Sequence, residues 1–293
     1  MKQQLIELRR IRDFGQVIND TFTFLKENLK PLLQVLFIIC GFFILIGIIS
    51  SVFTYMDVSS VFHYDPNTYD GESKAYSYLI NFAITGFILV LTQAFIFLTT
   101  LCYISVYLQK NKETPTITEV WGYFRFYFFR VLLSSLLIFI LLMVGTMLCI
   151  IPGIWLFPIL YLIIPIIVME NTSFSYAFNK SFRIIKDNWW FVFGVIIVLT
   201  VVVGVINSCV GIPLNLIITG SKFLTLKSLK LPVIIILSVL RNILMISYVL
   251  PAIGLSLCYF TLAEQKDGTG LLDRIEKLGT NEGNDSALPA EEY

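Results

Sequence analysis

Long apolar stretches separated by short polar segments are the dominant pattern along this chain. A helix needs about 20 predominantly apolar residues to cross the hydrocarbon core of a bilayer. Six stretches reach or approach that length without any Asp, Glu or Lys: Pro31–Tyr55, Leu79–Leu108, Phe126–Ile151, Ile154–Met169, Phe191–Thr219 and Leu231–Ala263. The pattern therefore predicts an all-α polytopic transmembrane helical bundle of about six spans.

Prolines and glycines mark the expected irregularities of these spans. Pro152-Gly153 separates the third and fourth stretches, which predicts a tight helical hairpin with a short turn. A broken or re-entrant helix is the alternative, and such a helix must be covered by other protein. Pro213 and Pro251 lie within the fifth and sixth stretches and are expected to kink them.

An internal repeat relates the segments before the first and fifth spans. Phe14–Phe37 aligns with Phe174–Ile197 at a constant offset, with six identical pairs: Phe14/Phe174, Asn19/Asn179, Phe22/Phe182, Lys26/Lys186, Asn28/Asn188 and Val35/Val195. Both segments carry apolar residues at helical spacing, which is typical of helices lying in the membrane interface.

A third amphipathic segment precedes the third span. There a capping box, Thr116-Ile117-Thr118-Glu119, opens the aromatic stretch Val120–Tyr127. The chain is thus expected to form three hairpin repeats, each preceded by an interfacial amphipathic helix. The alternative is that these segments are ordinary amphipathic linkers.

The distribution of Lys and Arg predicts the orientation, because cytoplasmic loops are enriched in both. With the N-terminus inside, sixteen of the 21 basic residues fall inside, four outside, and Arg241 within a span. Three of the outside lysines lie in Ser221–Lys230 and count against this orientation. We expect a cytoplasmic amphipathic segment at 1–30, a membrane bundle at 31–263 and a cytoplasmic, largely disordered tail at 264–293, with one short helix at Gly270–Leu278.

Composition agrees with this assignment and excludes other classes. Hydrophobic residues make up 57% of the chain and charged residues 14%, whereas soluble domains carry about 25% charged residues. A net charge of +1 gives no basic footprint for nucleic acid. Five cysteines are too few for a disulfide-stapled secreted module, and all five lie in apolar runs, where free cysteine acts as a small hydrophobe.

Two sets of polar residues within the spans are candidate functional positions. Asn81, Thr85, Thr92 and Thr99 share one face of the second span. This stripe is expected to hydrogen-bond neighbouring helices, or alternatively to line a solute path. Arg241 is placed at the outer edge of the sixth span, where it can snorkel. If Arg241 is deep instead, Asn207, Asn215 and Asn242 could solvate it in an intramembrane polar cluster.

Residues for catalysis are scattered. His63 lies in an acidic outer loop, Asp57–Tyr76, whose spacing differs from that of a calcium-binding loop. Zinc-ligand spacings, phosphate-binding glycine loops and serine elbows do not occur in the sequence. We therefore assign no catalytic, cofactor-binding or metal-ligating residues and expect no cofactor.

The stretch around Pro152 resembles a bacterial family of integral membrane proteins. The carrying residues are Ile150-Ile151-Pro152-Gly153-Ile154-Trp155, Pro165, Glu170-Asn171, Ala177, Ser181-Phe182 and Trp189-Trp190. They resemble the membrane domain of glycerophosphoryl diester phosphodiesterases, and the N-terminal block resembles uncharacterised Bacteroidetes-type relatives. The family's catalytic barrel is a separate unit without counterpart in this sequence, so the resemblance implies a membrane part only.

These patterns favour a non-enzymatic scaffold or accessory subunit of the bacterial inner membrane. Its expected partners are the lipid bilayer and other inner-membrane proteins, and no nucleic acid. The first alternative is a transporter or channel for a lipid-like or neutral small solute, passing along the second span. The second is a phosphodiester-cleaving enzyme using Glu170 or Asp187.

Overall fold

The computed structural model describes residues 6–61, 70–110, 112–148, 150–219 and 230–268. All regular structure in these ranges is helical, which confirms the all-α prediction. The elements are α1 (Phe14–Val61), α2 (Asp70–Gln109), α3 (Ile117–Leu148), α4 (Ile150–Tyr161), α5 (Ile163–Glu170), α6 (Phe174–Ile185), α7 (Trp189–Thr219), α8 (Lys230–Leu244), a short 3-10 helix (Met245–Tyr248) and α9 (Val249–Asp267).

Six helical stretches of the described chain are long and apolar enough to cross a membrane. They are Phe14–Met56, Tyr76–Gln109, Ile117–Met147, Ile150–Glu170, Trp189–Ile217 and Pro232–Asp267. Each overlaps one of the six apolar runs read from the sequence. The protein is therefore an integral, multi-pass membrane protein.

Consecutive spans pair as antiparallel hairpins. Cys40 of α1 lies beside Thr99 of α2, and Ser50, further along α1, lies beside Thr85, earlier in α2. The two helices therefore run in opposite directions. The last pair follows the same rule over its whole length. Asn188 at the start of α7 bonds to Gln265 near the end of α9, and Asn207 bonds to Ser247 in the 3-10 helix.

The hairpin of α3 with α4 and α5 is closed by a glycine contact. A Cβ atom on Gly153 would lie 2.4 Å from Thr146 Cγ2 and 3.1 Å from Thr146 Cα, so only glycine permits this approach. At the open end, Arg130 Nη1 donates to Asn171 Oδ1 at 2.9 Å. The predicted hairpin is present, with Pro152-Gly153 in the first turn of α4 rather than in the link.

The α4 arm also leans against the junction between α6 and α7. Trp189 Nε1 donates to the Trp155 carbonyl at 2.9 Å, and the Trp155 and Phe182 rings lie 6.0 Å apart. This junction is itself bound to the end of α9 through Asp187 and Lys266. The hairpin is consequently inclined toward the end of the bundle where α9 finishes.

We call this end, where α1 begins and α9 ends, the terminal face. Helix α9 runs from it through the centre of the bundle. Every residue of α9 from Val249 to Ala263 is buried, and the helix packs against α1, α2, α5, α6 and α7. Helix α3 lies outside this group and packs instead against α1, α2, α4 and α5.

The internal repeat is visible as a repeated pattern of burial. Buried positions of α1 recur at the same offset in α6 and α7, as in Val17/Ala177, Asp20/Lys180, Thr21/Ser181, Phe24/Ile184, Leu32/Val192 and Val35/Val195. The copies differ in continuity, because α1 is unbroken from Phe14 onward and α6 is separated from α7. The third amphipathic segment likewise forms the first turns of α3, so α6 alone of the three segments is a separate helix in the described chain.

Prolines explain two of the breaks. Pro165 cannot donate to the Tyr161 carbonyl, and the α-helix is interrupted at Leu162, between α4 and α5. Pro251 follows the 3-10 segment Met245–Tyr248, which interrupts the sixth span. In contrast, α7 continues through Pro213 and α1 through Pro31.

Several sequence predictions lie outside the described residues. These are the loop around His63, most of the lysine-bearing segment Ser221–Lys230, Cys149, the short helix at Gly270–Leu278 and the disordered end at Gly279–Tyr293.

Candidate functional site

The first half of the predicted α2 stripe, Asn81 and Thr85, is hydrogen-bonded to α1. Thr85 Oγ1 lies 2.5 Å from Ser50 Oγ and 2.7 Å from Thr54 Oγ1. Thr54 Oγ1 also lies 3.2 Å from the carbonyl oxygen of Asn81. Hydroxyl groups from two helices thus form one small network, which fastens α1 to α2.

The second half of the stripe, Thr92 and Thr99, is buried in the same interface. Thr99 Oγ1 lies 3.5 Å from Cys40 Sγ, and its side chain is fully buried. Thr92 is also buried but donates to the Ile88 carbonyl of its own helix at 2.8 Å. The stripe therefore faces packed protein, and its polar groups serve helix contacts or their own backbone.

The residues of the predicted intramembrane cluster are divided among separate contacts. Asn207 Nδ2 donates to Ser247 Oγ at 3.1 Å, which joins α7 to the 3-10 helix. Asn242 Nδ2 donates to Ser51 Oγ at 3.2 Å, which joins α8 to α1. Asn215 lies further along α7, toward the end of the bundle away from the terminal face.

Arg241 lies beside Tyr55 near the far end of α1. Its Nη1 donates to the Tyr55 hydroxyl, and its guanidinium carbon is 5.9 Å from the centre of the Tyr55 ring. Tyr55 is the last residue of the first apolar run, so this contact accords with a position at the edge of the bundle. The depth of Arg241 in a bilayer stays a prediction.

A charged cluster at the terminal face was missed by the sequence analysis. Lys180 Nζ lies 2.6 Å from Glu170 Oε1 and 2.8 Å from Asp267 Oδ2. Tyr259 donates its hydroxyl to the same Glu170 oxygen at 2.5 Å. The cluster joins α5, α6 and α9, and the Lys180 side chain is only 9% exposed.

The protonated form of Lys180 is stabilised by its partners. Burial alone lowers the pKa of Lys180, but the hydrogen bonds to Asp267 and Glu170 outweigh burial and raise the pKa above its ordinary value of 10.5. Lys180 is thus a cation held between two carboxylates. This arrangement fits a clamp between helices better than a proton donor.

A cavity of about 320 Å³ opens beside this cluster. Its polar lining comes from Arg9, Ser105, Gln109, Glu170, Lys180, Tyr259, Glu264 and Asp267. The lining contains both signs of charge, and Lys180 is already engaged by its two carboxylates. The cavity can therefore hold a small polar group or water without a large net charge.

The N-terminal segment is fixed by a second buried cation. The Arg12 side chain is fully buried, and its Nε donates to Asp20 Oδ2 at 2.8 Å. Its Nη1 donates to the carbonyls of Leu8 and Arg10 at 2.8 Å and 3.1 Å. Burial lowers the pKa of Arg12, and Asp20 opposes that change. Arg12 thereby ties residues 6–13 to the first turns of α1.

The described residues contain no group of three or more His, Cys, Asp or Glu side chains placed to hold a metal ion. Their four free cysteines are Cys40, Cys102 and Cys258, which are buried, and Cys209, which is exposed. The acids that the sequence leaves scattered are partly brought together, since Glu170 meets Lys180 and Asp187 meets Lys266.

Comparison with protein-family models, with curated proteins and with solved structures finds no match to this chain. The resemblance to the membrane domain of glycerophosphoryl diester phosphodiesterases stays a prediction.

One sequence signal could have revealed the Lys180 cluster. Ala177, Lys180, Ser181 and Ile184 recur at helical spacing and share the buried face of α6. A lysine on the apolar face of an amphipathic helix requires an acidic partner, because an unpaired buried charge is costly. The identity of that partner depends on tertiary packing and could not be read from the sequence.

Proposed function

We propose that this protein is a non-enzymatic scaffold or accessory subunit of a bacterial inner membrane, contacting lipids and other membrane proteins. The terminal face is proposed to lie in the cytoplasm, as the distribution of Lys and Arg predicts. The observation that carries the proposal is the exposure of α3. In its most apolar stretch, 22% of the residues are buried, against 50% in the stretch of α2.

The use of the polar residues supports the same proposal. Thr85 and Thr99 of the stripe that a solute path would use, and Asn242 of the predicted intramembrane cluster, are bonded to side chains of α1. In bundles, such contacts stabilise helix association. A bundle held together in this way, with the helix α3 left largely uncovered, suits a protein that offers a lateral surface to a partner.

Site-specific photocrosslinking in native membranes tests this proposal. A photoreactive residue replaces Phe129 on α3, which is 72% exposed, and, as a matched control, Val205 on α7, which is 59% exposed. Both positions face out of the bundle and carry apolar side chains. A partner that covers α3 gives a protein adduct of discrete mass at position 129, whereas position 205 gives lipid adducts.

Two results together would contradict the proposed function. The first is that position 129 gives only lipid adducts, and the second is that the protein, purified in mild detergent at native expression, carries no other protein with it. Both experiments use the full chain.

A further inference from the structure

An apolar groove lies between α2, α3 and the α4–α5 arm. Its volume is about 340 Å³. The floor is buried and includes Leu98, Val131 and Ile138, whereas the rims at Val90 and Phe139 are each 64% exposed. The groove is therefore open sideways, and in a bilayer the medium beside it is lipid acyl chain.

The groove contains one unsatisfied amide. Gln93 lines it and is half-buried. Within the part of the chain that the structure describes, the Gln93 side chain makes no hydrogen bond. An amide without a partner is costly in a hydrocarbon medium. The ester carbonyl of a glycerolipid would accept a hydrogen bond from its NH₂ group.

A second cavity, of about 540 Å³, adjoins the groove on the side of the terminal face. The same three parts of the chain supply both linings. Tyr127 lines the cavity, and Val131, one helical turn later, lines the groove. On the other wall, Asn171 lines the cavity and Ile164 lines the groove. A compartment that includes charged and polar groups thus continues into a mainly apolar groove, an arrangement that suits an amphipathic ligand.

The lining of this cavity is neutral overall, and Arg130 places a positive charge beside it, against the lining residues Phe126, Tyr127 and Asn171. Lys110 and Glu119 pair at 2.8 Å and neutralise each other. Arg130 lies over the rings of Phe126 and Tyr127, at 5.4 Å and 5.9 Å, and its hydrogen-bond partner Asn171 is neutral. Arg130 forms no ion pair with any described residue. It therefore retains a charge and free N–H donors for an anion.

We propose that this cleft between α2 and α3 binds one anionic phospholipid. The phosphate lies against Arg130 and the Asn171 amide, the glycerol esters lie near Gln93, and an acyl chain fills the groove. The site requires only that the bundle lie in a bilayer, so it is independent of the proposed partner protein.

Native mass spectrometry of the full chain in mild detergent tests the headgroup contact. The probes are phosphatidylglycerol and the zwitterionic phosphatidylcholine, added separately. We expect Arg130→Gln to weaken retention of one phosphatidylglycerol about fivefold, the contribution of one cation near anionic lipid. The control Arg125→Gln removes the same charge from an exposed position of α3 and is expected to leave retention unchanged. Equal losses in the two variants, or equal retention of both lipids by the unmodified protein, would overturn the headgroup site.

Filling the groove tests the acyl-chain contact. Ser135 lines the groove, and its hydroxyl donates only to its own helix, at the Leu132 carbonyl. Ser135→Trp is expected to abolish the retained phosphatidylglycerol, whereas Leu133→Trp, on an exposed face outside the groove, is expected to keep it. Retention by both variants would refute an acyl chain in this groove. A thermal unfolding midpoint like that of the unmodified protein shows that Ser135→Trp is folded. If Ser135→Trp does not fold, Ser135→Leu repeats the test with a smaller side chain.

Discussion

Thr85 and Thr92 show how one residue type serves two purposes within a single stripe. Thr85 joins Ser50 and Thr54 in a network between helices. Thr92 lies on the same face two helical turns further along α2, and it donates to the carbonyl of Ile88 in its own helix. Both side chains are buried. Of these two threonines, only Thr85 therefore contributes a hydrogen bond to the association of α1 with α2.

Replacing each threonine by valine separates these roles, because valine keeps the shape and removes the hydroxyl. We expect Thr85→Val to lower the free energy of unfolding by about 1 kcal/mol, within the range of hydrogen bonds between membrane helices. Thr92→Val is expected to change it by less than about 0.5 kcal/mol. Unfolding by titration with a denaturing detergent measures both values. Equal losses would mean that the stripe acts as a unit.

At this scale the sequence identifies the face but not its partners. Helical spacing places Thr85 and Thr99 on one side of α2, and the structure puts both against α1. Their partners Ser50, Thr54 and Cys40 follow from the register between two helices. Register depends on how apolar side chains pack against each other. Because the surfaces of α1 and α2 are uniformly apolar, the sequence is compatible with many registers.

Among the elements, α6 depends most on charged contacts with its neighbours. Lys180 binds Glu170 and Asp267, and Arg183 binds the second Asp267 oxygen at 3.2 Å. Just beyond the helix, Asp187 pairs with Lys266 at 2.5 Å, and this pairing lowers the pKa of Asp187. These ion pairs attach α6 to α5 and to the end of α9.

Alkaline pH should loosen this attachment. The pKa of Lys180 in the folded protein is above 10.5, so its contribution to stability is complete below pH 10.5 and is lost as pH rises through the higher folded value. Arginine stays protonated in this range. We expect the thermal unfolding midpoint of Lys180→Arg to fall less steeply above pH 10.5 than that of the unmodified protein. Parallel curves, with tyrosines and other lysines titrating in both proteins, would exclude this role for Lys180.

The two copies of the repeat show why the boundaries of some helices cannot be predicted from the sequence. Lys26 to Asn28 continue α1, whereas the aligned Lys186 to Asn188 break the chain between α6 and α7. Aspartate is a weaker helix former than the aligned glutamate, Glu27, by only a small margin. The larger difference is tertiary, because Asp187 and Asn188 bind Lys266 and Gln265 of α9. A local pattern does not contain those contacts.

For the whole molecule, the arrangement of the spans fixes which ends share a side. Asp13 at the start of α1 and Gln265 near the end of α9 are exposed at the terminal face, and Tyr76 lies toward the opposite end of α2. Sidedness in the cell thus reduces to one binary choice. The excess of Lys and Arg predicts that the terminal face is cytoplasmic.

Cysteine labelling checks this choice in a background whose native cysteines are replaced. We expect a membrane-impermeant thiol reagent to label Tyr76→Cys in intact cells. Asp13→Cys and Gln265→Cys are expected to react only after the membrane is opened. Labelling of Gln265→Cys in intact cells would reverse the orientation. Opposite behaviour at positions 13 and 265 would contradict the fold itself.

The number of spans and their approximate bounds could be read from the sequence, but the central position of α9 could not. In soluble proteins the most apolar element is usually the innermost. In a membrane, lipid is as apolar as leucine, so hydrophobicity does not distinguish a central helix from a peripheral one. Helix α9 is on average less apolar than α3, although α9 is enclosed by other helices and α3 is largely exposed.

The central position of α9 has a consequence for biogenesis. The ribosome synthesises this helix after α1, α2, α5, α6 and α7, yet those earlier helices pack around it. Until translation passes Asp267, those earlier helices lack the helix that they enclose in the folded protein. Assembly of these helices into one bundle therefore waits for the synthesis of α9, and a nascent chain cut short before Val249 would enter the membrane without the central helix of the bundle.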